Sequence, residues 1–152
     1  MNDVVARSAL PLVTEEGIEK IDRITAEFRK GPQRQVGTQH VIHGGIYSRT
    51  IRMAKGSMMT SALIKIATTL IISGHATVST GDEAMTFQGY NVIPGSAGRK
   101  GVWYAHEDTD MTMLFPTSAK TVEEAEVEFT DEADDLLTRD DDQHSTTIIT
   151  GE

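Results

Sequence analysis

The chain contains no cysteine. That excludes a disulfide framework, a thiolate metal site and a cysteine nucleophile, and it makes the chain indifferent to redox compartment. No apolar run reaches the ~18–20 residues that a membrane span needs. Residues 1–13 carry neither a basic leading region nor a long apolar stretch, so no signal peptide is expected. There is no Gly-x-Ser-x-Gly elbow, no Walker loop and no His-Glu-x-x-His pair. A concentrated basic face of the kind that binds phosphate backbones is also missing, so no nucleic acid partner is expected.

What is present suits one domain with terminal extensions. The chain has 152 residues, 38% of them hydrophobic, enough for a sizeable core. The net charge of −9 is uneven. Residues 119–152 hold 12 acidic against 2 basic residues, while residues 1–118 hold 11 acidic against 12 basic. The acidic end reads as a solvated segment or as a docking arm for a basic surface.

Ile18, Ile21, Ile24 or Thr25, and Phe28 recur at helical steps. Thr14 suits the cap, and Gly31-Pro32 ends the run. Residues 35–117 then read as strands. Ile46–Met53 favours a pleated surface. Met58–Ser73 is too long for one strand, and Ile64, Ile66, Thr68, Leu70 and Ile72 step by two, so two strands with a bend near Ile66–Thr69 are expected. Turns are expected at Gly44-Gly45, Gly74 and Gly81-Asp82, with later strands around Phe87–Ile93, Val102–Ala105 and Met111–Phe115. Turn signals every 8–12 residues indicate an antiparallel sandwich or small barrel. Beyond Pro116, Thr121 to Glu124 fits a capping box, with Val122, Ala125 and Phe129 on one face, and a further short turn is expected through Leu137. Thr146–Thr150 is β-prone, suited to adding a strand to a neighbour's sheet edge, or else frayed. The organisation expected is an arm and helix over 1–34, a jelly roll over 35–117, and an acidic helical segment and tail over 118–152.

Gly56, Gly74-His75, Gly81-Asp82 and Pro94-Gly95, with the closing segment Arg99–Thr109, resemble the motifs of the cupin superfamily. The closing segment is similar to that of small cupins encoded by tailed phages and prophages. The resemblance spans roughly residues 40–125. It implies a mainly β, cupin-type antiparallel jelly roll with an N-terminal helix and a C-terminal acidic helical tail. Cupins usually hold a metal through a His-x-His pair, a Glu and a later His. Here the first set should fall within Thr60–Ala67, which has neither His nor Glu, and the later His aligns with Arg99. A mononuclear site needs about three or four such ligands, so no metal and no cofactor are expected. His40 and His43 lie three apart and so face opposite sides of a strand.

Lys65 stands between Ile64 and Ile66 and either points into an emptied barrel or faces solvent. Arg99-Lys100 reads as an anion site at the barrel mouth or as a solvated turn. Glu107-Asp108 reads as a turn, and the methionines mostly as core filling. The leading expectation is a non-catalytic structural protein of a tailed-phage virion, made in the host cytoplasm. It would be a homo-oligomer touching other virion proteins and no membrane. Residues 1–13 and 139–152, lacking a core of their own, would be held by other chains. The alternative is a metal-free cupin binding a sugar, nucleotide or carboxylate through Lys65, Arg99, Tyr104 and His106. A metal-dependent enzyme with rearranged ligands is the third.

Overall fold

The computed structural model describes residues 9–32, 36–136 and 145–152. Helix α1, Glu15–Arg29, begins at Thr14, whose hydroxyl oxygen accepts from the Gly17 amide. The same hydroxyl donates to Asp82 at 2.8 Å, so the cap also ties the helix to a β turn. Ile18, Ile21, Thr25 and Phe28 form the inward stripe, and Ile24 stays exposed. Ile21 packs with Val13 and Val102 in a small cluster of its own. The helix therefore packs on its own domain.

One curled sheet holds every strand. These are β1 Thr38–His43, β2 Ile46–Met53, β3 Met58–Thr60, β4 Thr68–Ser79, β5 Ala84–Gly95, β6 Val102–Ala105, β7 Thr109–Pro116 and β8 Ser145–Ile149. The order is β3-β6-β4-β7-β2-β1-β8, with β5 along the other edge of β4. All pairings are antiparallel except that of β8 with β1. The mainly β, antiparallel expectation is thus met. Among the described residues, no helix is long and apolar enough to cross a membrane.

Strand β4 organises the curl. Its first half, Thr69–Ser73, pairs with β7, and its last part, Ala76–Ser79, pairs with β6. The exchange of neighbours falls at Gly74. The expected turn there is instead an uninterrupted strand, because Gly74 adopts φ +143° and admits the backbone of Asp108 and Thr109. A Cβ at this position would stand 2.5 Å from the Thr109 hydroxyl and 2.6 Å from the Asp108 carbonyl oxygen. The expected pair of strands over Met58–Ser73 is also corrected. Residues 61–67 are irregular, tied by the bridge Ile64–Arg99 and by hydrogen bonds from the Ser61 amide to the Gly101 carbonyl and from the Lys65 amide to the Phe129 carbonyl.

Helix α2, Val122–Phe129, starts at Thr121, whose hydroxyl accepts from the Glu124 amide at 3.2 Å. The Glu124 carboxylate closes the box one residue early, on the Lys120 amide. A 3-10 turn follows at Ala133–Asp135; Leu137 lies outside the described residues. Ala119, Ala125 and Phe129 join the main core with Tyr47, Phe115, Ile72 and Val78. Tyr47 stacks on Phe129 at 6.4 Å and meets Phe115 edge-on at 5.4 Å.

Both extensions, where described, are held by the chain itself. Leu10 is buried in the main core and bridges Gly95. Strand β8 lies on the chain's own β1, not on a neighbour's edge and not frayed. Thr150 is hydrogen-bonded to His43 at 2.7 Å, and the Glu152 carbonyl accepts from the Gly44 amide. Residues 1–8 and 139–144 lie outside the described residues.

Candidate functional site

The curl leaves a cavity of about 830 Å³ between the concave face of the sheet, α1 and the segment after α2. Period-two alternation explains its lining. On β4 the even residues Leu70, Ile72 and Val78 point inward, while His75 and Thr77 reach the convex side. On β6, Trp103 lines the cavity and Tyr104 turns outward. Met53, Met111 and Met113 complete the apolar wall.

Among the described residues, five cations line this cavity, and four are matched. Arg29 of α1 pairs with Asp135 at 3.8 Å. Arg52, at the rim, forms a two-point pair with Asp110 at 2.7 and 2.9 Å. Arg49 meets Glu126 at 3.2 Å, with both side chains buried. Its guanidinium lies 5.5 Å above the Phe129 ring and donates to the Tyr47 hydroxyl at 3.4 Å. That hydroxyl in turn lies 2.7 Å from His40 Nδ1. Burial, then the Arg49 charge, lowers the His40 pKa from 6.5 to about 4, against a smaller opposing effect of Glu123. Lys100 bonds Asp22 of α1 at 2.7 Å and Glu132 at 3.1 Å. Burial alone would lower its pKa, but these carboxylates outweigh burial and raise it.

Arg99 is the fifth. It is 6% exposed and touches only neutral acceptors: Thr68 Oγ1 at 2.6 Å, the Ser96 carbonyl at 3.1 Å, the Ile66 carbonyl at 3.4 Å and Met113 Sδ at 3.5 Å. Burial lowers its pKa to about 10, which still leaves it protonated at neutral pH. Among the described residues, no carboxylate pairs with it. The solvated-turn expectation for Arg99-Lys100 is corrected, because both side chains are buried.

The other sequence candidates fall elsewhere. Lys65 faces outward and pairs with Asp131 at 2.6 Å, so it does not enter the barrel. Tyr104 and His106 meet on the convex face, with ring centres 4.9 Å apart. His106 stacks near His75 at 4.4 Å and bonds Thr77 at 2.7 Å. The four candidates therefore do not form one site. His40 is buried and His43 exposed, as their spacing implies. Among the described residues, no three His, Asp or Glu side chains gather as a metal site.

Sequence reasoning missed the Arg49–Glu126 pair. Arg49 was accessible to it, since Tyr47, Arg49 and Met53 share one parity of β2. Glu126 was hidden among the acidic residues of the tail.

No family model and no curated protein matches the chain. Solved structures do resemble it. A cupin-2 domain protein from Shewanella frigidimarina aligns at 12% identity and TM-score 0.44, over 61% of this chain and 91% of that one. A cupin superfamily protein from Desulfitobacterium hafniense aligns at 13% and 0.46, over 58% and 83%. An RmlC-like cupin family protein from Methanocaldococcus jannaschii aligns at 12% and 0.45, over 57% and 85%.

Proposed function

We propose that this chain is a metal-free binding protein that encloses a small organic molecule on the concave face of its sheet, without transforming it. The observation that carries this reading is the cavity of about 830 Å³ with a predominantly apolar wall. Pockets of ~300–1,000 Å³ with a few placed polar groups suit small ligands. Of the carboxylates that line the cavity, Asp22 and Glu132 bond Lys100, Asp135 pairs with Arg29 and Glu27 with Lys30, while Asp108 accepts from the Lys55 amide. The neutral fluorophore N-phenyl-1-naphthylamine tests the binding reading. Blue-shifted emission is expected with the native chain. Met59 of β3 also lines the cavity, and the shift should be lost in Met59→Trp, provided that variant's circular dichroism is native. No blue shift, or one indifferent to Met59→Trp, refutes the reading.

A second reading is a homo-oligomeric structural component of a tailed-phage particle. It rests on the resemblance of the closing segment and on the convex face of β5, an edge strand where Tyr90 is 70% and Val92 58% exposed. Exposed apolar groups in a row mark interfaces. Light scattering would show a dimer or larger, reduced by Tyr90→Lys with Val92→Lys, and mass spectrometry of intact particles would find the chain. A monomer well above micromolar concentration counts against it.

A further inference from the structure

We infer that the cavity takes an amphipathic monoanion, a single carboxylate on an apolar body, with Arg99 as its counter-charge; this rests on the ligand-binding reading above. A buried guanidinium cannot shed its proton at neutral pH, so its charge must be met by something. Isolated buried charges are strongly unfavourable, and native structures pair them. Arg49, Arg52 and Lys100 follow that rule, whereas Arg99 is surrounded only by neutral oxygens and a thioether.

The donors left over define the shape of the missing partner. Nη1 is taken by the Ser96 and Ile66 carbonyls, and one proton of Nη2 by Thr68. The remaining Nη2 proton meets only Met113 Sδ at 3.5 Å, a weak acceptor. Among the described residues, Nε has no acceptor. Nε and Nη2 lie on one edge of the guanidinium and present two parallel N–H groups, the arrangement that a carboxylate accepts with both oxygens. The guanidinium lies against β5. A Cβ on Gly95 would lie 2.7 Å from Arg99 Cζ, so only glycine lets the guanidinium lie against this strand.

The rest of the wall sets the body of the ligand. The side chains of Ile64 and Leu70 line the cavity with Arg99 and offer no hydrogen bonds, and Met113 offers only its thioether. Lys100, the next cation along the chain, is saturated by Asp22 and Glu132. One charge is therefore available, and a polyanionic phosphate would find no second partner.

Octanoate and octanol share a tail and differ at the head, so calorimetric titration of both separates charge from cavity. Octanoate is expected to bind at least ~10-fold more tightly, the scale of one charge-assisted contact. Arg99→Met should remove that preference and leave octanol within about twofold of its native affinity, while Arg99→Lys should keep part of the preference. Equal affinities in the native chain overturn the anion inference and leave the cavity reading standing. Binding of neither overturns both. A preference that survives Arg99→Met in a chain with native circular dichroism overturns the role of Arg99.

Discussion

At the scale of single residues, the polar network under α2 makes stability depend on pH. His40 is neutral when folded, with a pKa near 4 against 6.5 in the unfolded chain. Between those values the unfolded chain binds the extra proton, so acidification favours unfolding. The loss begins as pH falls below 6.5, levels off below about 4, and totals roughly 3 kcal/mol. Urea unfolding at pH 7.5 and 4.5 should show it, and His40→Asn should flatten the difference; an unchanged difference would assign the effect to other groups. Arg49 supplies a second test. Arg49→Met takes the Arg49 charge away from buried Glu126 and should cost about 3–5 kcal/mol, whereas Arg49→Met with Glu126→Leu should recover most of it. If the double variant is no more stable than the single one, the pair is not the source of the loss. Residue type decided what the sequence could reveal here. Arg99 and Lys65 stood out as cations among apolar neighbours, but only the three-dimensional path of the chain separates the buried one from the exposed one. Glu126 gave no such signal, since burial of one carboxylate among twelve depends on which face of α2 meets Arg49.

At the scale of elements, β4 shows where local rules gave way to tertiary ones. Alternation correctly placed Leu70 and Ile72 on one face. The glycine between Ser73 and His75 looked like a turn, because a glycine that ends a strand and a glycine that lets another strand cross it have the same local sequence. The structural cause predicts two different costs. Gly89→Ala meets open space and suffers only its φ of +80°, about 1–2 kcal/mol. Gly74→Ala also collides with Asp108 and Thr109, and should cost more than ~3 kcal/mol. Equal losses in chemical denaturation would show that the crossing tolerates a methyl group. Strand β8 was legible as β-prone, but its partner was not, since register between distant segments is set by which edge is free. Deleting residues 145–152 uncovers the edge of β1, so the shortened chain should keep its circular dichroism and gain concentration-dependent association by light scattering. Association no greater than that of the intact chain would mean that β1 is protected by other means.

At the scale of the whole molecule, the acidic end finds its basic surface within the same chain. Glu126, Asp131, Glu132 and Asp135 pair with Arg49, Lys65, Lys100 and Arg29 respectively. The charge asymmetry was plain in the sequence, and its use was not, because ion pairing across the fold needs the topology. Of the fold, the mainly β class and both helices could be read beforehand. The cavity could not, since it is the space left by the curl of a sheet and no residue encodes it alone. Trp103, the sole tryptophan of the chain, lies on that wall, 6% exposed and 6.4 Å from the Phe87 ring. Indole emission is therefore a native optical gauge of the interior. Its wavelength reads the polarity of the space, and an aqueous quencher such as iodide should reach it slowly when the cavity is filled and faster when it is empty, with no label and no change to the molecule.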